Sequence, residues 1–119
     1  MKYKIILGEI WIDIPGYEGR YRASNMGRIK SIINKEIIMK SDVSEKGYLK
    51  LSLVDAWGFR HKESVHRLVA KTFIPNPFNL PEINHKDEVK SHNYLQNLEW
   101  CTSLYNNNYG SKGKRRRNI

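Results

Sequence analysis

His85, Asn97 and Asn106 carry the side chains in this sequence best suited to chemistry on a phosphate. They sit within Glu82-Ile83-Asn84-His85-Lys86-Asp87, Asn97-Leu98-Glu99-Trp100 and Asn106-Asn107-Asn108. Asn97 follows the histidine by twelve residues and Asn106 by twenty-one. Such spacing can set a general base, a group that orients it and an oxygen ligand for a metal around one phosphate. Phosphodiester hydrolysis needs that set: a deprotonated water, counter-charge for the transition state and help for the leaving oxygen. Imidazole, with an ordinary pKa of about 6.5, accepts a proton near neutrality if its other nitrogen is held as a donor. A hard cation such as Mg²⁺ takes side-chain oxygens, keeps waters and leans on substrate phosphates.

The rest of the sequence fits a polyanionic substrate. The formal charge is +9 and the pI about 9.7 over 119 residues, a balance that favours nucleic acid as partner. Lys112, Lys114, Arg115, Arg116 and Arg117 concentrate part of that charge near the C-terminus. Hydrophobic content of 39% and charged content of 28% indicate a folded chain with a modest core. Cys101 is the single cysteine, which excludes an internal disulfide and a cysteine-based zinc finger; it reads as buried filler. The apolar runs are too short to span a membrane, and the Ile5-Ile6-Leu7 patch is too short for a signal peptide. An intracellular protein is expected.

Several elements must position these residues. Residues 9–19 hold Pro15, Gly16 and Gly19 and read as a loop. Residues 21–33 read as two strands around a turn at Ser24-Asn25-Met26-Gly27, and 36–40 as another strand. Alternation over 47–53 predicts a half-buried strand, with a turn at Gly58 and a returning strand over 62–65. Val65, Leu68, Val69, Thr72 and Phe73 share one face of a helix ended by Pro75 and Pro77. Strands over 83–85 and 98–101 flank a long loop, and Thr102 or Ser103 caps a last helix. Trp11, Trp57 and Trp100 are read as core aromatics.

Two blocks resemble the HNH homing endonucleases of phages and mobile introns. Residues 9–19 with 21–32 are similar to the nuclease-associated modular DNA-binding motif of such enzymes. Val65-His66-Arg67-Leu68-Val69-Ala70-Lys71-Thr72-Phe73-Ile74-Pro75-Asn76-Pro77, continued through Asn97-Leu98-Glu99-Trp100-Cys101-Thr102, is similar to their HNH core. The resemblance implies an α+β fold, with an N-terminal antiparallel β-rich DNA-binding region over 1–60, a ββα-metal (HNH) nuclease unit over 61–110 and a basic tail over 111–119. It implies His85 as general base, Asn97 as the residue holding its ring, and Asn84 and Asn106 as ligands of a divalent metal, Mg²⁺ with Mn²⁺ as the alternative. Asn84 stands where relatives commonly carry an acid. The implied reaction is DNA cleavage, as nicking, to 5′-phosphate and 3′-hydroxyl ends, in the cytoplasm of a bacterial or phage-infected cell. Double-stranded DNA is the expected partner, contacted by Arg20, Arg22, Arg28, Lys30, Arg67 and the five tail cations. Monomer and homodimer both remain open.

Two rival readings stand beside this one. A DNA-binding protein could keep the HNH fold and lose cleavage, which the amide at Asn84 favours. A structural or interaction protein could carry the charge for solubility alone. His66 reads as structural or phosphate-contacting, His92 as solvated, and Asp87 and Glu99 as structural.

Overall fold

The computed structural model describes residues 8–110; the tail cations lie outside the described residues. Four short strands, β1 (Trp11–Asp13), β2 (Tyr21–Ser24), β3 (Ile29–Ser31) and β4 (Ile37–Ile38), form an antiparallel meander. A second antiparallel sheet holds β5 (Asp42–Val43), β6 (Leu49–Val54) and β7 (Arg60–Ser64). Helix α1 (Val65–Phe73) follows without a break, then the hairpin of β8 (Glu82–His85) and β9 (Leu98–Cys101), and finally α2 (Ser103–Asn108). The architecture is α+β.

Helix α1 organises the molecule. Val65, Leu68 and Val69 bury one face, while Arg67 and Lys71 stay exposed on the other. Pro75 prevents continuation, and the Ile74 N–H closes the last turn on the Ala70 carbonyl at 2.8 Å. Tyr21 and Ile29 from the first sheet, Leu51 and Leu53 from the second, and Ile83 and Leu98 from the third pack into one core with this helix. The expected division after residue 60 therefore crosses a continuous core, at the first residue of a strand whose ladder partner, β6, lies on the other side.

The first and last regions meet at one tight contact. Gly27 has φ of +86°, and a Cβ there would lie 2.8 Å from the Asn93 carbonyl carbon. The Leu95 N–H also bonds the Asn25 carbonyl at 2.8 Å. The turn after β2 thus supports the loop that carries Asn93. Strand β1 was expected to be loop; its pairing of Trp11 with Ser24 and Asp13 with Arg22 draws it into the sheet before Pro15 and the glycines intervene.

Candidate active site

Antiparallel pairing sets His85 opposite Leu98 and Asn84 opposite Glu99. Alternation along β8 sends Ile83 and His85 to one face and Glu82 and Asn84 to the other. The predicted residues accordingly fall into two groups on the two faces of one strand end.

On the first face, His85 is buried with its Nε2 2.8 Å from Asn93 Oδ1. An amide oxygen only accepts, so this bond calls for a ring proton on Nε2. The His66 ring lies 5.1 Å from the His85 ring, tilted by 55°, and the Tyr48 ring lies 5.1 Å from that of His66. Burial, then the neighbouring His85, pushes the His66 pKa down to about 3. His66 is only 8% exposed, and its Nδ1 has no hydrogen-bond partner.

The ring contact expected of Asn97 is thus made by Asn93. The Asn97 amide donates to Asp87 Oδ1 at 3.0 Å and to the His92 carbonyl at 2.8 Å, and its oxygen accepts from the Asp87 N–H. It ties the two ends of the loop that delivers Asn93. His92, expected to be solvated, bonds Asp87 at 2.6 Å; that bond, with the Val89 N–H, holds the Asp87 carboxyl down at about 2. The structural role expected of Asp87 agrees with these bonds.

On the second face, Asn84 is fully buried. Its Nδ2 donates to Glu99 Oε2 at 2.7 Å, while its Oδ1 has no partner. Asn106 Nδ2 donates to Glu82 Oε1 at 2.8 Å, and Ser103 Oγ donates to the same carboxylate at 2.7 Å. Each amide is polarised by a carboxylate, which moves negative charge onto its oxygen and makes it a better ligand for a hard cation. The orphaned Asn84 oxygen is the observation that fits such an ion. Among the described residues no three His, Cys, Asp or Glu side chains form a metal cluster; the oxygens at hand on this face are those of the two amides and of Glu82 and Glu99.

A cleft of about 570 Å³ opens beside this strand, lined by Lys46, Lys50, His66, Arg67, Glu82 and Asn106 among others. Three of those walls are cationic, as a phosphate backbone would require. His85 and Asn84 are not among the lining residues; the His85 ring lies 5.1 Å from that of His66, which is.

The N-terminal cations are placed differently. Lys30 is 4% exposed, reaches Glu36 at 3.2 Å and lies 4.4 Å from the Trp11 ring centre, so the expected DNA contact by Lys30 is corrected: its burial leaves no ammonium for a phosphate. Arg28 grips Glu9, with Nε 2.9 Å from Oε2, and stacks on Trp11. Burial opposes the Glu9 charge most strongly, but the hydrogen bonds of Arg28 and Ser24 together with the Arg28 and Lys30 charges outweigh it and keep the carboxyl below its ordinary range. Arg22 pairs with Asp13 at 2.6 Å, and Arg20 Nε donates to the Val54 carbonyl at 2.8 Å. Arg67 is exposed, with one nitrogen on the Pro81 carbonyl at 2.8 Å.

Residues 9–54 match the NUMOD4 motif. DNA endonuclease I-HmuI of Bacillus phage SP01 is 36% identical over 96 residues, covering 81% of this chain and 54% of that protein. An uncharacterised HNH endonuclease of Acanthamoeba polyphaga mimivirus is 38% identical over 104 residues, covering 82% of this chain and 25% of that protein. The solved structure of DNA binding and cleavage by the HNH homing endonuclease I-HmuI has a TM-score of 0.74 and 34% identity, covering 92% of this chain and 67% of that one. The chain belongs to the HNH homing endonuclease family. As a member, it spans about half or less of the length of these curated relatives. No helix among the described residues of this HNH protein is long and apolar enough to cross a membrane.

Sequence reasoning missed Asn93, whose neighbours Ser91 and His92 give no sign of which loop residue turns inward. It also missed His66 as a neighbour of His85; its place in the first turn of α1 was the available signal.

Proposed function

We propose that this protein is a metal-dependent DNA endonuclease that nicks double-stranded DNA to 5′-phosphate and 3′-hydroxyl ends. The observation that carries the proposal is His85, buried and held through Nε2 by an acceptor at the end of β8, with the orphaned oxygen of Asn84 on the adjacent residue. His85 Nδ1 takes the proton from the attacking water. Asn93 keeps the ring in that tautomer, and Asn97 acts one step removed by bracing the loop. Asn84 and Asn106 would hold a divalent ion, Mg²⁺ or Mn²⁺, which supplies Lewis-acid stabilisation of the phosphate charge when bound. The strand, strand and helix β8, β9 and α2 then form the ββα-metal unit.

We assign binding chiefly to residues 1–60, cutting to 61–110 and added phosphate attraction to the cations of 111–119. Arg67, on the cleft wall with Lys46 and Lys50, is the DNA contact we favour among the described cations, with Arg20 and Arg22 adding to it from the first sheet. The proposed setting is the cytoplasm of a bacterial or phage-infected cell, with a monomer nicking one strand and double-strand breaks needing two copies or two successive cuts. The second reading, a DNA-binding protein that has lost cleavage, is favoured by the absence of an acidic metal cluster among the described residues. Supercoiled plasmid incubated with Mg²⁺, Mn²⁺ or EDTA separates them. Metal-dependent open circles that DNA ligase reseals support the nuclease; salt-sensitive binding without cutting across diverse DNAs supports the impaired form. Metal affinity of the protein alone should be weak, and a tight Mn²⁺ isotherm without DNA would count against this ligand set.

A further inference from the structure

The β6–β7 hairpin ends in a rigid turn that displays apolar rings to solvent. Trp57 is 83% exposed and Phe59 67% exposed, so the expectation that Trp57 belongs to the core is overturned. The turn is held tightly. Asp55 Oδ1 accepts from the N–H groups of Trp57 and Phe59 at 2.9 and 3.0 Å. Its Oδ2 bonds His61 Nε2 at 2.7 Å. The Asp55 N–H donates to the Phe59 carbonyl at 2.9 Å. Gly58 takes φ of +89° and closes on the Asp55 carbonyl at 3.0 Å. Aromatic rings carried on so braced a tip lose little conformational freedom on contact. Exposed Trp and Phe side chains oppose solubility, so their display on a pre-ordered turn points to a ligand face.

The surroundings select the ligand. Arg60 follows Phe59 and is exposed; Arg20 lies at the base of the tip through its bond to Val54. The tip carboxylate of Asp55 is already engaged by His61 and two backbone donors, and its pKa is lowered mainly by the bond to His61. Rings flanked by cations match a surface of π-faces lined by phosphates. The same strands connect the tip to the cleft: Lys50, a cleft wall, pairs with Ser64, and the ladder ends at Val54 and Arg60. Four residues of extended strand span about 14 Å, and the turn adds several ångströms. At about 3.4 Å per base pair, the tip reaches DNA roughly four to six base pairs from the cleft.

We infer that Trp57 is a wedge that stacks on a base step of duplex DNA, flanked by Phe59, while the cleft engages the backbone nearby. The inference rests on the proposed DNA-cleaving role and adds a contact to it. Insertion of apolar side chains at a base step partly unstacks it and bends the duplex.

The test uses the full chain carrying His85→Ala, so that binding is read without cutting, and a duplex of random sequence about 30 base pairs long, roughly three helical turns. The unaltered tip and the Trp57→Ala, Trp57→Phe and Phe59→Ala tips are compared by anisotropy, with far-UV circular dichroism and thermal melts as folding controls. Trp57→Ala should weaken binding roughly five- to a hundredfold at unchanged salt slope, because stacking releases no counterions. Trp57→Phe, which keeps a π-face, should recover much of the loss. 2-Aminopurine in the duplex should brighten with the unaltered tip and not with the Trp57→Ala tip. Equal affinity and equal 2-aminopurine signal for these two tips would overturn the wedge, as would a Trp57→Ala loss that Trp57→Phe fails to recover. Because this assay reads binding alone, a wild type that failed to nick plasmid would sink the nuclease reading and leave this comparison standing.

Discussion

In the N-terminal sheet Arg22 is held by Asp13, Arg28 by Glu9 and Lys30 by Glu36, and Trp11 lies under two of these cations. At the end of β8 the opposite holds: Asn84 Oδ1, Asn93 Nδ2 and His66 Nδ1 are buried without partners, and they are all such side-chain atoms among the described residues. Burying a polar atom without a hydrogen bond costs roughly 1–3 kcal/mol, so each of the three, Asn84 on one face of the strand and Asn93 and His66 on the other, is costly unless something binds there. The contrast separates charge from function. A basic sequence points to DNA, but individual cations of the first sheet are taken up by carboxylates, while the unpartnered buried polar atoms belong to amides and an imidazole.

Gly27 joins the two regions, and changing it should have the largest effect. Gly27→Ala combines an αL penalty of about 1–2 kcal/mol with a backbone clash against Asn93 that costs about 1–3 kcal/mol more. Chemical denaturation should register that loss, and the surviving folded protein should nick slowly because Asn93 has moved. Normal nicking by a destabilised Gly27→Ala protein would show that the two regions are not coupled.

Arg28→Ala comes next. It leaves Glu9, whose side chain is nearly buried, without its guanidinium, and the loss should be about 2–3 kcal/mol of stability. The salt slope of DNA binding should not change. A slope reduced by about one would return Arg28 to the DNA contacts and weaken the comparison.

Asn93→Leu should keep the fold and DNA affinity but lower kcat about 10- to 100-fold, the usual effect of removing a group that orients an active histidine or ligand. A fall in affinity with unchanged kcat would make Asn93 a structural residue only.

The most gradual effect is a pH dependence. His66 is neutral when folded, with its pKa down at about 3, whereas in the unfolded chain it takes up a proton near the ordinary value of about 6.5. The unfolded state therefore binds more protons between these values, and stability should fall on acidification through that window by up to about 1.4 kcal/mol per pH unit. His66→Phe should flatten this part of the profile in urea titrations spanning roughly pH 7 to pH 5. An unchanged profile would mean that His66 carries its proton when folded.

Much of this was legible in the residues. The stripe Val65, Leu68 and Val69 located α1, and Thr102 caps α2 through its bond to the Tyr105 N–H at 3.1 Å. His85 and Asn106 were singled out by type and spacing and Asn84 by the family resemblance; the strand that carries His85 and the start of the last helix lie where strand period and cap placed them. Asn93 and Gly27 were not found. Their roles depend on a loop meeting a turn from another sheet, and no local period encodes that contact. Lys30 and Trp57 were misplaced for one reason: a lysine stem and an indole suit either core or surface, and their neighbours in space decide which. Lys30 found Trp11 and Glu36, whereas Trp57 was lifted away from the core by the turn at Gly58.

The most direct measurement is a time course of supercoiled plasmid with Mg²⁺ for the wild type and His85→Ala, each at protein concentrations giving equal bound DNA. The account predicts metal-dependent open circles from the wild type and a rate at least about 100-fold lower from His85→Ala. Equal nicking by both proteins at equal occupancy would contradict it and remove His85 from the chemistry.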